Sequence, residues 1–282
     1  MNALKTAVLL AGLAGMLLAI GWYVGGTQGA VIAFALSMVL NFTSFFWSHK
    51  IVLAMYRAKE VAREENPQLH GLVEEIALAA QIPKPRVFVV PTGVPNAFAT
   101  GRDPAHSVVA VTDGILKIMG RDELKGVLAH EMSHIKHRDI LIATVAATVA
   151  TAITMLASML RFTAIFGGGG RDGRSRGGLE LLALAILAPL AAAVVQMAIS
   201  RSREYAADEG GARLSGNPLG LANALLKLEG ANRASGGMAA PATAHLFIVS
   251  SLRGATFASL FSTHPPVEER VRRLRAMAGA SA

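Results

Sequence analysis

The sequence predicts a mostly α-helical integral membrane protein, in which four transmembrane helices carry a small α+β domain on one side of the bilayer. Three observations predict it. Thr6 to Ser48 contains no charged residue over 43 positions, too many for one span of roughly 20 residues. Two more uncharged runs, Ile140 to Leu160 with 21 residues and Leu181 to Ser200 with 20, are each one span long. Charge and turn residues collect between these runs, while the whole chain is 52% hydrophobic and only 16% charged. That balance, with a mean hydropathy of +0.45, excludes an ordinary soluble domain. The net charge of +8 fits positive flanks retained in the cytoplasm. No basic stretch is interleaved with aromatics, so nucleic acid is not expected as a partner. Cysteine is absent, which leaves His and carboxylates as the ligands for any metal.

Residues 1–48 are expected to form two membrane helices, Thr6 to Val24 and Ala30 to Ser48, broken by Gly25-Gly26-Thr27-Gln28-Gly29. Lys5 before an apolar core resembles a signal peptide, but a second span follows at once. Trp22, Tyr23 and Trp47 suit the membrane interface. Residues 49–139 open with His49, Lys50, Arg57, Lys59 and Arg63, a positive flank. Pro67 to Ala80 places Leu69, Leu72, Val73 and Ile76 on one helical stripe, and Pro83 and Pro85 follow its end. Arg86 to Val90 and Ser107 to Thr112 are β-branched runs bounded by turn residues, hence strands. Asn96 to Thr100 is a third, either a plain hairpin arm or an edge on which Asn96, Ala97 and Phe98 could hold an extended substrate.

Asp122 and Glu123 place negative charge where a helix N-terminus favours it. The helix they open carries Leu124, Val127, Leu128 and Ile135 on its buried stripe. Residues 140–200 supply the third and fourth spans around a Gly/Arg-rich loop, 161–178. The third span begins within six residues of His134, so it is expected to be nearly continuous with the helix before it. Residues 201–282 return to the original side, with a helix capped by Asn217-Pro218. A last amphipathic helix carries Val267, Val271 and Leu274 on one side and a solvated basic face on the other. Four Arg in the 161–178 region argue for the opposite orientation, but nine Lys and Arg flank the spans on the first side. The larger number places both ends in the cytoplasm.

His130-Glu131-Met132-Ser133-His134 is an HExxH arrangement. On a helix the two rings project from one face with Glu131 beside them. That pattern suits zinc, with the carboxylate able to take a proton from a metal-held water. The bland reading is an amphipathic helix whose polar face holds two histidines. A third ligand is needed. His137 lies about 10 Å along the axis from His130 at a rise of about 1.5 Å per residue, too far to share one ion. Glu204 can approach from another helix, and Asp208, one turn later, could accept the second ring proton of a ligand histidine.

The chain resembles the HtpX family of membrane zinc peptidases, relatives of the CAAX prenyl endopeptidases. The resemblance rests on the two N-terminal spans, Asn96-Ala97-Phe98-Ala99-Thr100-Gly101, His-Glu-Met-Ser-His, Arg-Glu-Tyr-Ala-Ala-Asp at 203–208 and Thr-His-Pro-Pro at 263–266. It implies a gluzincin-type metalloprotease domain with one zinc held by His130, His134 and Glu204, and Glu131 as general base. His264, where related gluzincins use a histidine, is the expected second donor to the oxyanion; the alternative is a histidine that only caps its turn. The resemblance also implies a multi-pass protease of the bacterial inner membrane that faces the cytoplasm. Its substrates would be misfolded or damaged membrane proteins, cleaved in quality control and stress response next to the lipid bilayer. The rivals are a CAAX-type prenyl-protein peptidase, for which four spans build too small a chamber, and a catalytically idle zinc-binding scaffold. A zinc transporter would place ionisable residues within its spans, and these spans have none.

Overall fold

The apolar N-terminal stretch folds as α1 (Asn2–Met55), two helices joined at Gly25 and Gly26. Gly26 adopts φ 57° and ψ −140°, a conformation open to glycine and costly for residues with a Cβ. The second helix runs back along the first, and Asn41 Nδ2 donates to the Leu10 carbonyl at 3.2 Å. The computed structural model describes residues 2–146, 201–234 and 265–280. The expected fourth span, most of the third, the 161–178 loop and His264 lie outside the described residues.

Gly25–Met55 is 31 residues long and apolar enough to cross a membrane, whereas Thr6–Ala19 is a shorter apolar helix. Val31, Ile32, Val39 and Phe42 along it are all more than half exposed. So large an apolar surface is suited to contact with lipid or another protein rather than with water. The helix continues past its expected end at Ser48 because Val52 and Leu53 pack on the sheet with Phe88, Val90 and Phe98. Arg57, in the left-handed region at φ 51°, turns the chain away.

The sheet contains β1 (Lys59–Glu60), β2 (Arg86–Val90), β3 (Ala97–Gly101) and β4 (Ser107–Thr112), in the order β1-β2-β4-β3. β2 and β4 are parallel, while β3 lies antiparallel to β4 at the edge. Side chains alternate across the strands: Phe98, Val108 and Ala110 face α1, and Ala97, Ala99, Val109 and Val111 face the main core. The single short strand β1, unexpected from sequence, covers the opposite edge.

Between β1 and β2, α2 (Pro67–Ala80) is capped by Asn66 Oδ1, which accepts from the Leu69 N–H at 3.0 Å. It buries Leu69, Leu72, Val73 and Ile76, each contributing about 1.5–3 kcal/mol by leaving water. After β4 come a short helix, α3 (Asp113–Ile118), and the long α4 (Arg121–Lys136). α4 does not run on into the next helix. His137, Arg138 and Asp139 form a turn, with Arg138 at φ 58°, before helical residues resume at 140–146. The near-continuity expected from sequence is therefore replaced by a corner. α5 (Arg201–Ser215), α6 (Pro218–Ala234) and α7 (Val267–Ala280) complete the described chain. Val267, Val271 and Leu274 of α7 enter the same core as Leu221 and Leu225 of α6 and Val127 and Leu128 of α4.

Candidate metal centre

The site begins with the start of α4. Gly120 donates its N–H to Glu123 Oε2 at 2.8 Å, satisfying a main-chain group at the helix entry, and Asp122 and Glu123 complement the helix dipole. Leu124, Val127, Leu128, Met132 and Ile135 then fix the rotation of the helix by burial. That rotation leaves His130 and His134 facing α5. Gly211 is where α5 comes closest. A Cβ there would sit 2.8 Å from both the nitrogen and the Cα of His130, so only glycine permits the approach. At neighbouring Gly210 a Cβ would overlap the Ser133 hydroxyl.

This contact brings Glu204 over the two rings. Its Oε2 lies 3.8 Å from His130 Nε2 and its Oε1 3.6 Å from His134 Nε2. One donor atom from each of His130, His134 and Glu204 falls within 4.8 Å of the others. The rings stand nearly perpendicular, at 89° with centroids 4.9 Å apart. Two imidazole nitrogens and one carboxylate, converging in a largely buried position, form a donor set that fits zinc.

The opposite ring nitrogens face carboxylates. His130 Nδ1 lies 3.0 Å from Asp208 Oδ1, and His134 Nδ1 lies 3.3 Å from Asp139 Oδ2. Such partners turn the ε nitrogens toward the centre and raise their basicity. Asp208 is itself gripped by Arg270 of α7, whose Nε and Nη2 donate to its two oxygens at 2.8 and 2.7 Å. Arg203 Nη1 approaches Asp139 at 3.7 Å. Glu131 Oε2 accepts the Ala99 N–H of β3 at 2.8 Å.

These surroundings set the proton affinities. Burial pushes the Glu131 carboxyl up to about 7, although His134 and the Ala99 N–H partly oppose it. Burial alone would lower His134, but Asp139 and the charges of Glu204 and Glu131 outweigh it and raise the ring to about 9. His130 is lowered by burial, which Asp208 only partly offsets. Asp208 is held down to about 2, because Arg270 and His130 overcome the desolvation of its carboxylate. The field at His134 therefore favours positive charge, and burial makes Glu131 a stronger proton acceptor than an exposed carboxylate.

Of the residues expected from sequence, His130, Glu131, His134, Glu204 and Asp208 come together. His137 caps the C-terminal end of α4, with its Nδ1 3.4 Å from the Ser133 hydroxyl, and is not in the donor group. His264 lies outside the described residues. In the strand, Asn96 is tied to Thr112 through its N–H and carbonyl, and Phe98 packs on Tyr56. It is Ala99 that touches Glu131. The sequence reading missed Asp139 and Arg270, and it placed the arginines of the last helix on a solvated face. Arg272 and Arg273 are exposed there, but Arg270 is fully buried. The signal was present: 267, 270, 271 and 274 share one helical stripe, so an arginine sits where the pattern asks for an apolar residue.

Residues 63–278 match the model of peptidase family M48. Two relatives, each named as a homologue of protease HtpX, are 53% identical in Sulfurihydrogenibium sp. and 54% identical in Pyrococcus furiosus. The first alignment covers 98% of this chain and 96% of the relative, the second 97% and 95%. Ste24p of S. mikatae has a similar fold, with a TM-score of 0.54 at 18% identity. That similarity covers 97% of this chain, which spans 65% of the Ste24p chain.

Proposed function

The chain belongs to peptidase family M48 and is a membrane metalloprotease, and we propose that its metal is zinc, held by His130, His134 and Glu204, with Glu131 as general base. The observation that carries this reading is the convergence of two ε nitrogens and a carboxylate within 4.8 Å, beside a buried carboxylate turned toward the edge of a sheet. Zinc bound there supplies Lewis acidity toward the scissile carbonyl and acidifies an attacking water. Glu131 would serve as the general base, taking a proton at its carboxylate and passing it to the departing amine. Asp208 and Asp139 hold the two imidazoles in orientation. β3 is the substrate strand: where Ala99 turns its N–H away from β4, Ala97 and Gly101, two residues to either side, turn their main-chain groups the same way. An extended peptide can pair with that edge next to Glu131. His264 is the proposed second donor to the oxyanion.

From the four apolar runs of the sequence we infer four crossings, with the site on the cytoplasmic side of the bacterial inner membrane. In the sequence the apolar run 140–160 begins six residues after His134, and the run 181–200 ends four residues before Glu204. Substrates are then loops or unfolded segments of damaged membrane proteins, cleaved close to the bilayer in quality control and under stress. The test is cleavage of an unfolded protein by the detergent-purified chain with zinc restored, comparing wild type with Glu131→Gln at equal metal content. Cleavage by the wild type alone supports the assignment; equal cleavage by both removes Glu131 from the mechanism. Zinc binding without cleavage by either would favour an idle scaffold.

A further inference from the structure

The metal centre draws on a part of the chain that supplies none of its ligands. Arg270 has no exposed surface, and a buried guanidinium persists only when its charge is matched and its donors are used. Its two-pronged grip on Asp208 matches the charge and engages two of its donors, in a geometry where a planar fork fits a carboxylate and an ammonium would not. Asp208 in turn faces His130 Nδ1 at 3.0 Å, while the same ring directs Nε2 toward Glu204. We infer that Arg270 is a positioning residue of the metal centre: by fixing Asp208 against His130, it makes docking of α7 a condition for tight metal binding. The inference rests on His130, His134 and Glu204 being the ligands. Because the coupling is thermodynamic, zinc stabilises the docked α7 by the same factor by which docked α7 tightens zinc.

The test uses the full-length protein in detergent and reads zinc affinity by competition with a chelator. Arg270→Met is expected to weaken zinc by about 10- to 100-fold, the usual effect of losing a residue that orients a metal ligand. Arg270→Lys should fall between, restoring the charge without the fork. Adding Asp208→Asn to Arg270→Met should weaken zinc little further, because both changes act through one ring. Unchanged affinity in Arg270→Met, or effects of the two changes that multiply in full, would overturn the inference. A second measurement needs no variant: hydrogen exchange of wild type with and without zinc. Added protection of α7 amides on zinc binding supports the coupling, and protection confined to α4 and α5 rejects it. A wild type that binds no zinc at all would reject the ligand assignment itself and this inference with it.

Discussion

The second half of α1 and the cluster of α4, α5 and α7 arrange their residues in opposite ways. α1 turns Val31, Ile32, Val39 and Phe42 outward, whereas the cluster turns His130, Glu131, Glu204, Asp208 and Arg270 inward. Each arrangement is unfavourable for a protein in water unless something compensates. For the cluster, the compensation is internal: every one of those buried polar groups faces a partner, either the Ala99 N–H, a neighbouring ring or an opposite charge. For α1 the compensation must be external, and lipid is the one proposed. The contrast teaches that the two regions should fail in different ways when one residue is changed.

The largest effects belong to the cluster. Glu131→Gln should reduce peptide turnover by about 10²- to 10⁴-fold, the usual contribution of a positioned general base, while leaving zinc content unchanged. His134→Ala and Glu204→Ala should lose metal and turnover together. Turnover and bound zinc, measured on the same preparations, separate the two kinds of loss. A Glu131→Gln protein that lost its zinc would mean that this carboxylate is a ligand rather than a base.

The next effect tests what surrounds α1. Val39 lies near the middle of the apolar stretch and is 62% exposed. A lysine there should cost about 2.5–3.5 kcal/mol if the position meets the bilayer centre, but no more than about 0.5 kcal/mol if it meets water. The fraction of chain recovered in membranes, compared between Val39→Lys and wild type, distinguishes the two. Equal recovery would remove lipid as the compensation for this surface.

A smaller pair of changes compares glycines in the two regions. At Gly211 an added methyl meets the His130 backbone at 2.8 Å, while at Gly12 it meets nothing within 4 Å. Gly211→Ala should therefore destabilise by about 1–3 kcal/mol through overpacking and weaken zinc binding by moving α5 away from α4. Gly12→Ala should leave both quantities unimpaired. Thermal unfolding and chelator competition on the two variants check this, and equal behaviour would mean that the close approach of α5 does not set the site.

The chemistry of the centre was legible in the sequence because it is written in short spacings. A spacing of four from His130 to His134, and again from Glu204 to Asp208, amounts to about one helical turn. The edges of α2, β2 and β4 were legible for a similar reason, since Asn66, Pro67 and the β-branched runs act locally. What stayed hidden depends on distance or on a turn. Arg270 meets Asp208 across 62 residues, and no local periodicity announces such a pairing, only the misplaced charge on an apolar stripe. Asp139 reaches His134 because Arg138 enters the left-handed region; a straight helix through that point would have carried it elsewhere. α1 outran its expected end because tertiary packing of Val52 and Leu53 on the sheet outweighed the charge that begins at Lys50.

The last pair of changes concerns two buried hydroxyls outside both regions, with expected effects comparable to or smaller than that at Gly211. Thr100 of β3 and Thr144 of the helical segment after α4 are both fully buried, with their hydroxyl oxygens 3.0 Å apart. Thr144 also donates to the Ile140 carbonyl at 2.6 Å. A hydroxyl has one proton to give, so Thr100 must be the donor in the pair and Thr144 the acceptor. The two positions are therefore not equivalent. Thr144→Val leaves the buried Thr100 hydroxyl without its acceptor and should cost about 1–3 kcal/mol, whereas Thr100→Val removes only the donor and should cost about 0.5–1.5 kcal/mol. The double variant should be no less stable than Thr144→Val alone, because it removes the orphaned hydroxyl. Thermal unfolding of the three proteins decides the order. If Thr100→Val were the more damaging single change, the proton assignment would be reversed, and the helical segment after α4 would hold β3 as donor rather than acceptor.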